Sequence, residues 1–193
     1  MESPEEKLKE IKEAVIACKK CSLYKTRKYP VIGAGNHQAD IMFVGEAPGA
    51  KEDMTGYPFR GTAGKILDEL LNLVKIKRED VYVANILKCR PPNNRDPLEE
   101  EIKNCSLYLE KQIEIIEPKI ICSLGRFAMD FLMNKFGLEE QIQQISRIHG
   151  KIFETKNKFG KIKIVPFYHP AFAIYNPNMK EVLAKDFQVL KNI

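Results

Sequence analysis

Ile41-Met42-Phe43-Val44-Gly45-Glu46-Ala47-Pro48-Gly49 carries the reading of the fold. Four consecutive apolar residues suit a short strand buried on both faces, and the glycines and proline after them end it in a loop. Two further runs repeat the pattern: Val81-Tyr82-Val83-Ala84-Asn85-Ile86, and Lys119 to Leu124 closed by Gly125. Between these runs, Ile66, Leu67, Leu70, Leu71 and Val74 recur at helical spacing, as do Ile102, Cys105, Leu109, Ile113 and Ile116. Asp96-Pro97 reads as an N-cap followed by proline at the first helical position, with Glu99, Glu100 and Glu101 in the first turn, where the helix dipole favours acids. A helix around Phe127 to Phe136 comes next. Ile152-Phe153 and Ile162-Lys163-Ile164-Val165 read as strands joined across 156–160, and a last helix turns Val182, Leu183, Phe187 and Leu190 inward. At the front of the chain, Leu8, Ile11, Val15 and Cys18 mark an amphipathic helix ending in Cys18-x-x-Cys21.

Strands alternating with helices predict an α/β fold, a three-layer α/β/α sandwich around a mainly parallel central sheet, as one domain over residues 1–193. In such sheets ligands bind beyond the carboxyl ends of the strands. The loops 45–60, 85–95 and 168–177 are all expected there.

Composition narrows the function classes. With 44% hydrophobic and 30% charged residues over 193 positions, the chain is globular and not disordered. No run approaches the roughly 18 apolar residues of a membrane span. The charged N-terminus lacks the apolar core of a signal peptide, so a cytoplasmic location is expected. A net charge of +5 permits a nucleic-acid partner without requiring one. Lys-, Glu- and Ile-rich surfaces suit a heat-loving source. A monomer is the plain expectation.

Five cysteines are too few, and odd in number, for a secreted disulfide framework. Cys18, Cys21, Cys89 and Cys105 offer four thiolates to a tetrahedral zinc or an iron–sulfur cluster. Only one pair is closely spaced, unlike a zinc ribbon. Spacing therefore leaves open whether these are metal ligands or buried thiols, and which metal they would hold. Cys122, inside an apolar strand, reads as a buried thiol.

Three segments carry a resemblance. Gly45-Glu46-Ala47-Pro48-Gly49-Ala50-Lys51-Glu52-Asp53, continuing to Gly56-Tyr57-Pro58-Phe59, is similar to the first motif of the family 4 uracil-DNA glycosylases. The segment from Asn85 to Pro97, with Cys89-Arg90-Pro91-Pro92-Asn93-Asn94-Arg95, resembles the stretch after that family's second strand. Tyr168-His169-Pro170-Ala171 resembles its second catalytic motif. The four cysteines match the family's 4Fe–4S ligands in order and spacing.

The resemblance implies an enzyme that flips uracil from single- or double-stranded DNA and hydrolyses its N-glycosidic bond. It implies His169 as the neutral donor to uracil O2, and Asn85 as the reader of the Watson–Crick edge. Phe59 would stack on the base, and Glu52 would crowd C5 so that a thymine methyl clashes. Glu46 and Ala47 line the same loop and offer backbone groups to base or water. Family 1 enzymes have an aspartate near Ala47, and an alanine cannot accept a proton. Catalysis would then rest on leaving-group stabilisation and orientation.

The chain departs from the family after Ala171. Phe172-Ala173-Ile174-Tyr175 replaces a leucine-rich loop and an arginine, so Phe172 or Ile174 is the expected wedge into the DNA stack. Lys88, Arg90 and Arg95 are the expected phosphate contacts. His149 falls in Arg147-Ile148-His149-Gly150, similar to a loop in family X relatives whose histidine traps DNA covalently, but it lies far downstream and reads as structural. His37 reads as solvated. The first sixteen residues are a possible dock for a sliding clamp, though they hold no clear clamp motif. Three other readings stand beside the glycosylase: an enzyme for another lesion or a covalent trapper, a non-enzymatic iron–sulfur DNA-binding module, and a zinc-containing interaction protein.

Overall fold

The computed structural model describes residues 3–191. Six strands form one sheet in the order β1-β3-β2-β4-β6-β5: β1 (Ala34–Gly35), β2 (Ile41–Gly45), β3 (Tyr82–Asn85), β4 (Ile120–Leu124), β5 (Phe153–Asn157) and β6 (Gly160–Phe167). The four middle strands are parallel, while β1 and β5 pair antiparallel at the two edges. The sheet is thus parallel at its centre, as expected. The two-residue edge strand β1 leaves no mark in the sequence, because Ala34-Gly35 is too short to show any alternation.

Side chains alternate across the sheet. Met42, Val44, Tyr82, Ala84, Ile121, Ile162 and Ile164 pack beneath α1 (Pro4–Ala17), α4 (Glu99–Ile116) and α5 (Arg126–Lys135). Phe43, Val83, Cys122, Leu124, Val165 and Phe167 face α3 (Thr62–Leu73) and α8 (Met179–Phe187) on the other side. Both faces are therefore covered, which is why the strands read as continuous apolar runs. The remaining helices are short: α2 (Ala50–Thr55), α6 (Ile145–Ile148) and α7 (Phe172–Tyr175). Two of them, α2 and α7, lie inside segments expected to be loops.

Helix α4 begins two residues later than its proline suggested. Asp96-Pro97 stays outside the helix, and Leu98 occupies the cap position. The Glu101 carboxylate accepts from the Leu98 N–H at 2.9 Å and from the Arg95 guanidinium at 2.6 and 2.9 Å. This internal carboxylate does the capping that Asp96 was expected to do, and Asp96 instead pairs with Arg126 at 2.7 Å. In the last helix, Leu183 and Phe187 are buried as expected and Leu190 follows on a 3-10 turn, but Val182 is only half-buried.

Candidate active site

The carboxyl ends of the four parallel strands meet at one place. Register sets Gly45, the end of β2, directly beside Asn85, the end of β3. Gly125 follows β4, and its N–H donates to the Phe167 carbonyl at the end of β6, two residues before His169. A methyl group on Gly45 would lie 2.4 Å from Asn85 Oδ1 and 3.1 Å from the Phe59 ring. A methyl on Gly125, which has φ +92°, would lie 3.2 Å from His169 Cβ. Both glycines therefore let side chains from other strands close in over bare backbone.

Phe59 sits at φ 54°, a conformation that bulky residues rarely adopt. Its ring centroid lies 5.7 Å from that of His169, with the planes 29° apart. Glu52 shapes the loop that imposes this geometry. One carboxylate oxygen accepts from Gly49 N–H at 3.1 Å; the other accepts from Arg60 and Gly61 N–H at 2.7 and 2.8 Å. Both oxygens of Glu52, the residue expected to crowd a base, are thus engaged in closing the loop around Phe59.

His169 is half-buried, and desolvation drives its pKa from the usual 6.5 to about 4, against the opposing pull of the Glu52 charge. The Ala171 N–H donates to His169 Nδ1 at 3.1 Å. Nδ1 is therefore the acceptor, so the neutral ring carries its proton on Nε2. Asn85 is 2% exposed, and its side-chain amide makes no hydrogen bond among the described residues, although its carbonyl accepts from Lys88 Nζ. The amide atoms are not sealed from the pocket, since Ser123 Oγ is the buried side-chain atom left without a partner among the described residues, so both are free to pair with a ligand. Beside it, burial and the Asp96 carboxylate raise the Glu46 pKa to about 7, offset in part by Arg126. Glu46 is tied to the β3 loop through its carbonyl, which accepts from Leu87 N–H at 3.0 Å.

The four cysteines named above surround one cavity, with Arg27, Lys88 and Tyr108 among its other walls. Arg27 Nη1 donates to Cys89 Sγ at 3.2 Å, and Lys88 N–H donates to Cys105 Sγ at 3.1 Å. Burial raises the thiols of Cys21, Cys89 and Cys105, the last to about 12. Thiolates in such surroundings need a cation beside them, so the donor set suits a thiophilic metal centre. Among the described residues, no three His, Cys, Asp or Glu side chains already stand in metal-binding geometry.

The expected DNA contacts divide. Phe172, Ile174 and Tyr175 project outward, 53%, 43% and 86% exposed, directly after the His169 turn. Arg90 remains at the surface, with Nε on Asn94 Oδ1 at 2.7 Å. Arg95 is committed to Glu101. Lys88 is the clear correction: it is 1% exposed and cannot reach a phosphate. His149 is held by Asp186 at 2.7 Å and lies against Tyr168, whose ring stacks in turn on Phe172. Asp96 and Arg126 set the charge around Glu46, a role the sequence does not reveal because no linear pattern links positions 46, 96 and 126. The Gly125 role was signalled only as a strand end.

The chain belongs to the uracil DNA glycosylase superfamily, whose family model matches residues 32–191. It is 48% identical over 183 residues to a type-4 uracil-DNA glycosylase of Archaeoglobus fulgidus, covering 95% of this chain and 91% of that one. The Saccharolobus solfataricus type-4 uracil-DNA glycosylase is 50% identical over 183 residues, covering 94% and 83%. That of Thermotoga maritima is 38% identical over 194 residues, covering 100% and 97%. Within the superfamily, its place is in the type-4 family.

The desolvated imidazole gives a direct test. Nitrogen-15 NMR of His169 should show the Nε2–H neutral tautomer down to about pH 5, with protonation setting in only near pH 4. A ring that titrates near 6.5 would contradict the geometry.

Proposed function

We propose that this protein is a uracil-DNA glycosylase that flips uracil out of DNA and hydrolyses its N-glycosidic bond, leaving an abasic site. It would thereby initiate base-excision repair of deaminated cytosine. The observation that carries this reading is a half-buried, desolvated histidine, fixed as a neutral Nε2–H donor, beside a buried asparagine and an aromatic ring at the carboxyl ends of the parallel strands. The similarity to type-4 enzymes supports the choice of base.

A flipped uracil stacks on Phe59. Asn85 Oδ1 accepts from uracil N3–H and Nδ2 donates to O4, a pattern that cytosine reverses. As the bond from C1′ to N1 breaks, its electron pair passes to the uracil ring. His169 Nε2–H then donates to the developing charge at O2. Being neutral throughout, the imidazole stabilises the anion without giving up its proton. Ala47 offers no base, so Glu46 is the group placed to orient the attacking water and to take its proton. Glu52 acts one step removed, holding the Phe59 loop closed.

Cys18, Cys21, Cys89 and Cys105 would hold a 4Fe–4S cluster, which supplies a rigid cross-link between the first helix, the 85–95 loop and α4 rather than electrons. The wedge into the vacated stack is assigned to Phe172 and Ile174, and Arg90 to a phosphate. Every residue in this scheme comes from one chain, so a monomer suffices. Five cysteines without disulfides suit a reducing compartment such as the cytoplasm.

Release of uracil from a single-uracil oligonucleotide, followed by alkaline cleavage of the abasic product, tests the activity. The wild type should release uracil, and His169→Ala should lower the single-turnover rate about 10²–10³-fold. No release by the wild type would overturn the reading. The rate should also rise with pH through about 7, as Glu46 passes from acid to carboxylate. Glu46→Gln should be slower and lack that rise. Protein purified without oxygen should be brown and contain iron. Cys89→Ser should lose both and melt at lower temperature; a colourless, iron-free but equally stable wild type would remove the cluster from the scheme.

A further inference from the structure

A trough of about 830 Å³ runs along the β1 edge of the sheet, between α1 and the loop that follows α2. Lys9, Lys12 and Lys28 line it, all exposed and none ion-paired among the described residues. Glu5 is the acid in the same wall. Tyr29 and Tyr57 are 55% and 54% exposed, an unusual state for two large aromatic rings in one depression. The backbone brings them together: a methyl on Gly56 would lie 3.6 Å from Tyr29 Cβ. Arg60 lies over the Tyr57 ring at 5.2 Å, adding a cation at that end.

The trough leads to the pocket. Tyr57 also borders an adjoining depression whose wall includes Pro58 and Phe59, and the Phe59 ring faces His169. Within that second depression Lys77 and Arg78 are paired with Glu79 and Asp68. Unpaired positive charge therefore lies on Lys9, Lys12 and Lys28 toward α1 and on Arg60 where the two depressions meet, and not on Lys77 or Arg78. Arg27, where the trough passes the thiol cavity, is already donated to the carbonyls of Val15 and Ile16.

We propose that this trough is a binding track for single-stranded DNA, holding the nucleotides that flank the flipped base on one side. The proposal rests on the glycosylase reading for its direction from the pocket. Three unpaired lysines at a concave surface match a phosphate backbone, and two exposed rings offer stacking faces for bases of any identity. An acidic peptide would use the lysines but not the ring faces.

Binding is measured by fluorescence anisotropy at several salt concentrations, with uracil-free single strands and with strands whose flanks are extended on the 5′ or the 3′ side of a central abasic analogue. Affinity of the wild type should grow with flank length on one side only. The Lys9→Ala, Lys12→Ala, Lys28→Ala triple variant should lose at least tenfold in affinity for the long flank. Its salt slope should fall by about 2, from roughly 0.7 per phosphate contact over three contacts. Tyr29→Ala should lose about tenfold and Tyr29→Phe should restore it. In uracil release, the triple variant's loss should appear in KM. Equal affinity of wild type and triple variant for the long flank would overturn the track, as would an equal loss for strands without a flank. Tighter binding of RNA than of DNA would overturn the assignment to DNA. Flank-dependent binding without uracil release would sink the glycosylase reading and leave the track standing.

Discussion

Lys88 is the point on which the pocket and the thiol cavity both depend. Its side chain is sealed from water, with Nζ donating to the Asn85 carbonyl at 2.8 Å and to Gln112 Oε1 at 2.7 Å. Its own N–H reaches Cys105 Sγ, and its carbonyl accepts from Val31 N–H at 2.7 Å. Gln112 extends the network, donating to the Ile32 carbonyl and the Tyr82 hydroxyl. Taking an ammonium out of water costs several kcal/mol unless it is well partnered. Burial pushes this amine down to about 8, and the acceptors around it offset that cost. Lys88, through its side chain and its own carbonyl, thus joins the end of β3, the later half of α4 and the chain before β1. The stretch from Asn85 to Cys89 cannot move at one end without disturbing the other.

A second constraint acts at His169. Exposed histidines change charge near neutrality, and a donor that did so would alter the pocket with every change in pH. Burial removes that variability, and the Ala171 amide selects which nitrogen carries the proton. Glu52 holds the neighbouring loop through three backbone N–H groups while its charge opposes only part of the shift. Rigidity and fixed tautomer come from backbone amides, so few side chains are needed to set the chemistry.

Much of this was legible in the sequence. Apolar runs without alternation announced strands covered on both faces, and Gly45, Gly125 and the prolines after Cys89 marked where each chain segment leaves the sheet. Asn85, Phe59 and His169 were named from their motifs, and the structure brings them together. What could not be read depended on partners distant in the chain. Lys88 looked like one more loop cation, because nothing local reveals Gln112 behind it. Arg95 looked available until Glu101 turned back along its helix. The Asp96-Pro97 pair resembles a helix start, yet a glutamate inside α4 supplies the cap instead. Strand β1 owes its existence to pairing with β3 and has no pattern of its own.

The residues around the pocket come from β2, the loop after α2, β3, β4 and the far end of β6, spread from Gly45 to His169. No short fragment contains them, and parallel pairing requires long crossovers before any strand finds its neighbour. During synthesis, the chain must therefore be nearly complete before the pocket exists at all. A nascent or truncated chain carries every early motif and none of the chemistry. Competence to release a base requires the pairing of β6 with β4, which sets His169 over Gly125.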